Sequence, residues 1–180
     1  MSSSVLIRWG AIALMLSGVA WVVLGLSALL GYLQAIPGRE DVVLFVGAML
    51  LLGAGLVGLH TLQKGSYGLL GRVGFYTALA AMAAHIATAV IFLAGNPDFQ
   101  WLSAWVGTSG MLAGFVLYGV ATLRARMLPR WYSLALIVVL PVTLPLAQYG
   151  TTLFGLVLLA LSYGLWLRRG AATGQPSRVR

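Results

Sequence analysis

His60 and His85 are the only histidines, and each lies within a long apolar run. An ionisable group inside lipid is costly, so it marks a function unless its neighbours account for it. At 1.5 Å per residue, His85 is about 18 Å from the inner boundary of its run and His60 about 5 Å. The offset of about 13 Å disfavours one haem held by both in a single chain, although a dimer could pair two copies of His85. A proton relay is disfavoured too, because no carboxylate accompanies His85. The plain reading is a neutral His85 bonded to a hydroxyl or a free carbonyl. His60 reads as a structural residue near the interface.

Two prolines supply the second chemical signal. Pro141 and Pro145 lie in one apolar run, and each removes a helical N–H and frees a carbonyl four residues earlier. By rise, the carbonyl of Pro141 is about 15 Å from the inner boundary, close to the depth of His85. Thr88, Thr108, Ser109 and Trp21 fall near the same level by the same counting. A broken helix beside mid-membrane polar groups is how transporters build ligand sites. The plain alternative is a proline kink satisfied by a neighbouring hydroxyl. The candidate ligand layer is therefore His85, Thr88, Thr108, Ser109, Pro141 and Trp21.

Other chemistry is thinly represented. There is no cysteine, so thiolate metal sites and cysteine nucleophiles are excluded. No nucleophile triad, phosphate loop or HExxH motif occurs. The acids are Glu40, Asp41 and Asp98. Asp41 and Asp98 each precede an apolar run, where a carboxylate can cap a helix. Thr151 or Thr152 could cap the last run in the same way. A metal site built from the three acids is the sharper alternative, but no histidine lies near them in sequence. No cofactor is indicated.

The elements that position these residues follow from composition. The chain has 180 residues, is 61% hydrophobic and is only 8% charged. Soluble domains carry about 25% charged residues, so this surface cannot face water all round. The apolar runs reach the roughly 20 residues that cross a bilayer as a helix, and they do not alternate as barrel strands do. The reading is an all-α, polytopic transmembrane helix bundle forming one domain over 1–170. Its six spans are about 9–33, 42–62, 73–94, 99–123, 131–147 and 151–167. A basic, flexible tail, 171–180, follows. The run from Trp9 exceeds the 7–15 residues of a signal-peptide core, so it reads as a retained span, with cleavage near Ala35 as the alternative. Only Gln148-Tyr149-Gly150 separates the last two spans, but one helix of about 37 residues would be about 55 Å long.

Charge gives the direction. The segment Arg124 to Trp131 carries Arg124, Arg126 and Arg130 and no acid, and short basic loops stay cytoplasmic. With six spans, Arg8, Lys64, Arg72 and the tail arginines beginning at Arg168 and Arg169 fall on that same side. Arg39 and all three acids fall on the other. Both termini are then cytoplasmic. The net charge of +8 sits at helix ends, which suits anionic lipid rather than nucleic acid.

Small residues mark the seams where helices approach in lipid. They include Gly18 and Gly25, Gly53, Gly55 and Gly58, Ala80, Ala84 and Thr88, and the Gly110-x-x-x-Gly114 motif below Ser103 and Gly107.

The segment Arg-x-Leu-Pro-Arg-Trp at 126–131, followed by paired hydrophobic spans and an arginine-rich end, resembles small bacterial inner-membrane proteins of uncharacterised role. The likeness covers the last third of the chain and implies an inner-membrane location and no particular activity.

Three functions fit these readings. The first is binding to a partner subunit or to a second copy. The second is carriage or binding of a small lipid-soluble molecule at the His85 layer. The third is an intramembrane enzyme. A polar-lined cavity reaching His85 would count against a pure scaffold. A dense interior would count against the other two.

Overall fold

The structure is a computed structural model that describes residues 3–31, 39–63, 65–96, 101–126 and 128–173. Its elements are α1 (Ser3–Leu29), α2 (Arg39–Gln63), α3 (Gly68–Leu93), α4 (Thr108–Ala125), α5 (Arg130–Thr143) and α6 (Ala147–Thr173). A π-helical turn, Leu102–Gly107, leads into α4, and a 3-10 turn, Leu144–Leu146, joins α5 to α6. No strand occurs among the described residues. Five helices are long and apolar enough to cross a membrane, and Arg130–Leu146 is a shorter apolar helix.

The outer surface explains what solvent this fold requires. Met15, Val19, Leu50, Val73, Leu134 and Leu156 are all exposed, on five of the six helices. Apolar patches of this extent are unfavourable in water and neutral in lipid. The chain is an all-helical, multi-pass membrane bundle.

Each helix packs on its neighbours in sequence, and α1 also packs on α6, so the six close into a ring. Glycine makes the close crossings. A Cβ on Gly10 would lie 2.6 Å from the Gly58 Cα, and one on Gly114 2.5 Å from the Ala78 nitrogen. Gly74 meets the Tyr118 nitrogen at the same 2.5 Å, and Gly18 and Gly155 meet across the α1–α6 seam. Both glycines of Gly110-x-x-x-Gly114 face α3, with Gly110 against Ala81. Gly25 faces Thr152, but Gly53 has only the side chains of Leu79 and Met82 at ordinary contact distance.

These contacts run antiparallel. The start of α1 meets the end of α2, and the Tyr132 hydroxyl near the start of α5 donates to the Leu161 carbonyl near the end of α6. Ala11 and Met15 line a groove with Tyr163 and Trp166, so the start of α1 and the end of α6 share one end of the bundle. Arg8, Arg72, Arg124, Arg126 and Arg130 belong to that end, and Arg168 and Arg169 fall in the closing turns of α6. Arg39, Glu40 and Asp41 open α2 at the opposite end.

Several expected boundaries shift. Span three begins at Gly68, one turn before Val73, because Gly68 takes a left-handed φ of 64° that ends the loop early. Asp41 lies in the first turn of α2 together with Glu40 and is not its cap; both favour the positive end of the helix dipole from there. Gln148-Tyr149-Gly150 is helical, and the break comes earlier, at Leu144–Leu146 and at Ala147 with φ 48°. Thr151 therefore lies inside α6 rather than capping it, and its hydroxyl donates to the Ala147 carbonyl. The helix runs to Thr173, past the expected start of the tail at 171. Lys64, Asp98 and residues 174–180 lie outside the described residues.

Candidate ligand pocket

A pocket of about 440 Å³ lies within the ring, and all six helices contribute to it. Trp21 comes from α1, Phe45 and Met49 from α2, and His85 from α3. Thr108 and Met111 come from α4, Leu140 and Thr143 from α5, and Gly150, Thr151 and Phe154 from α6. These positions cluster toward the end that carries the α1–α2 and α5–α6 connections. Aromatic rings form one side. Trp21 stands edge-on to Phe45 at 5.6 Å and to Phe154 at 5.3 Å, and Phe45 stands edge-on to His85 at 6.0 Å.

His85 is held by the π-helical turn. Its Nδ1 lies 2.5 Å from the Ser103 hydroxyl, and Gly107 is pressed so close that a Cβ there would be 2.8 Å from Nε2. A π turn widens the helix and re-aims the side chains it carries, and such turns are frequent at functional sites. Here it brings Ser103 and Gly107, four residues apart, onto one imidazole. The bonding to a hydroxyl matches the plain reading of His85, and the ring also lines the pocket.

The threonines of the pocket are turned inward on their own helices. Thr108 donates to the Ser103 carbonyl at 3.2 Å, Thr143 to Leu140 at 3.5 Å and Thr151 to Ala147 at 3.3 Å. The Leu140 carbonyl that Thr143 meets also accepts from the Leu144 N–H and is not one of the two freed by proline, which belong to Ile137 and Pro141.

Of the six residues read from sequence, the pocket gathers Trp21, His85 and Thr108. Thr88 is buried but donates to the Ala84 carbonyl at 2.9 Å and does not line the pocket. Ser109 is exposed and donates to the Trp105 carbonyl. Pro141 is exposed on α5, and Pro145 ends that helix in the 3-10 turn rather than breaking it at mid-depth. Depth counting ranks residues along a helix axis but carries no rotational information, which explains this split. The lining from Phe45, Met49, Met111, Thr143, Thr151 and Phe154 was missed, because apolar and hydroxyl side chains in a lipid-phase sequence look alike whether they face lipid or a cavity.

A second polar cluster lies at the arginine-rich end. Gln63 is fully buried, and its Oε1 is 2.9 Å from the Thr122 hydroxyl. The Tyr118 and Ser133 hydroxyls and the Gln63 amide nitrogen are buried without a protein partner. His60 stacks on Phe75 at 4.0 Å and bonds to the Tyr67 hydroxyl, in keeping with a structural role. No group of three or more His, Asp or Glu residues that could hold a metal occurs among the described residues, and Asp98 lies outside them.

Comparison with known protein families, with curated proteins and with solved structures gives no match.

Proposed function

We propose that this protein binds a small lipid-soluble molecule in the pocket beside His85. The single observation that carries this reading is the convergence of all six helices on one pocket lined mainly by aromatic and aliphatic side chains with a few polar atoms. Ligand sites are concave, mostly apolar and sparsely polar. A scaffold that acted only through its outer surface would gain from packing this space, because an unfilled cavity destabilises its surroundings. Small-molecule binding is thus favoured over association with a partner or a second copy. The Ser103 hydroxyl touches His85 but is not among the residues that line the pocket, and no carboxylate lines it to orient the imidazole, so binding or carriage is favoured over an enzyme.

The proposal includes a location: the bacterial inner membrane, with both termini and the Arg124–Arg130 loop cytoplasmic. The gathering of Arg8, Arg72, Arg124, Arg126 and Arg130 at one end supports it. Native mass spectrometry of protein gently extracted from its own membrane tests the function. A discrete bound mass smaller than a phospholipid is expected. The bare chain mass, or only phospholipid or a protein subunit attached, would overturn it. The native chain lacks cysteine. A single cysteine placed at Ser66 therefore tests the topology. It should resist an impermeant thiol reagent in intact cells, and labelling there would reverse the orientation.

A further inference from the structure

We infer that the ligand of this pocket is a neutral hydrogen-bond donor, an alcohol or phenol on an apolar body. The inference rests on the ligand-binding reading above and adds the chemistry of the molecule bound. No Asp, Glu, Lys or Arg is among the described residues that line the pocket. An ionised ligand would lose its hydration with no opposite charge to replace it. The ligand is therefore neutral.

The polar atoms decide the rest. A threonine hydroxyl has one proton and two lone pairs. The protons of Thr108, Thr143 and Thr151 are directed to the carbonyls of Ser103, Leu140 and Ala147. This back-bonding is a common arrangement for Ser and Thr in membrane helices. Each hydroxyl is left to act as an acceptor. The two other polar side chains offer no donor to a ligand. The Trp21 Nε1–H is buried with no exposed surface, so the indole meets the pocket with carbon. His85 has Nδ1 engaged by Ser103, and its ring also hydrogen-bonds to the Gly107 backbone. The side chains thus present lone pairs from three helices and no exposed proton to the pocket. A ketone, quinone or ether would face acceptor against acceptor. An O–H group would complete the set, while an alkyl or ring body would meet Phe45, Met49, Met111 and Phe154.

Equilibrium dialysis of 4-butylphenol and its methyl ether, 4-butylanisole, against protein in nanodiscs and against empty nanodiscs tests this on the whole chain. The two probes share a body and differ by one proton. The phenol is expected to bind about tenfold more tightly, the worth of one buried hydrogen bond. The one phenol proton reaches one acceptor, so at least one of Thr108→Val, Thr143→Val and Thr151→Val, each nearly isosteric, should weaken the phenol several-fold and leave the ether unchanged. Equal binding of phenol and ether, or tighter binding of the ether, overturns the donor assignment and leaves the pocket reading standing. Tighter binding of butylammonium than of the phenol overturns the neutral assignment. If neither aromatic probe nor butylbenzene exceeds the empty nanodisc, the ligand-binding reading itself fails, and this inference with it.

Discussion

His85 Nδ1 and the Ser103 hydroxyl are 2.5 Å apart, joining the second half of α3 to the π-helical turn ahead of α4. The bond links α3 to the turn that leads into α4, and the imidazole also meets the Gly107 backbone. Interhelical hydrogen bonds in membranes average about 0.6 kcal/mol and reach about 1.7 kcal/mol. His85→Ala and Ser103→Ala should each lower stability by about that range. Because they break one shared bond, their effects should not add. A double-mutant cycle followed by detergent unfolding should give a coupling of about 0.5–1.5 kcal/mol. Additive losses would show that the bond contributes nothing.

Close crossings and open glycines should behave in opposite ways. A Cβ on Gly114 would enter the backbone of Ala78, and one on Gly74 the backbone of Tyr118. Backbone cannot move aside as a side-chain tip can, so Gly114→Leu or Gly74→Leu should separate α3 from α4 and abolish the folded bundle. Gly47 has nothing within 4 Å of the added carbon. Gly47→Ala should be neutral or should stabilise by up to about 1 kcal/mol, since alanine favours helix over glycine. Thermal melting in the same detergent compares the two classes.

Thr122 and Gln63 are coupled through a single proton. The Thr122 hydroxyl lies 2.8 Å from the Tyr118 carbonyl and 2.9 Å from Gln63 Oε1. One hydroxyl cannot donate to both. The Tyr118 carbonyl has no proton of its own, so it takes that of Thr122. Exchanging the oxygen and nitrogen of the amide then lets Gln63 donate to Thr122, an orientation the heavy atoms allow equally. Thr122→Val should cost about 1–3 kcal/mol by stranding the buried amide. Gln63→Met combined with Thr122→Val should recover most of that loss. A double variant less stable than Thr122→Val alone would refute the pairing.

Tyr67 lies in the α2–α3 connection, where burial raises its hydroxyl above the ordinary value near 10, with the Arg72 guanidinium partly offsetting the rise. The unfolded chain would ionise this tyrosine first. Stability from Tyr67 is thus fully present below pH about 10 and is lost as pH climbs through the raised folded value. The melting temperature should fall above pH about 10. In Tyr67→Phe, which also loses the bond to His60, that part of the fall should flatten. An unchanged alkaline limb in the variant would remove Tyr67 as its cause.

Much of the architecture was legible before any helix was placed. Lipid removes the option of exposed backbone, so each apolar run had to become a helix. The length of a single combined helix, and the tail arginines from Arg168 that it would have carried to the side opposite Arg124, Arg126 and Arg130, separated α5 from α6, although only Gln148-Tyr149-Gly150 divides them in the apolar pattern. The break proved to be Pro145 and the positive φ of Ala147, because proline stops a helix where its missing N–H would be needed. Gly110-x-x-x-Gly114 also faced a neighbour as expected, since only glycine admits that approach.

By itself, the sequence determined the solvent of this protein, its helical class and the sorting of its charges, because each depends on composition and order along the chain. Only the tertiary structure decided which mid-level residues meet. Trp21, His85 and Thr108 point into one pocket, while Thr88, Ser109 and Pro141 turn to their own helices or outward. The π-helical turn at Leu102–Gly107 changes the rotation of everything before α4 and leaves no mark in the apolar pattern. Rotation about each helix axis follows from the packing of six neighbours, and no count along a single run contains it.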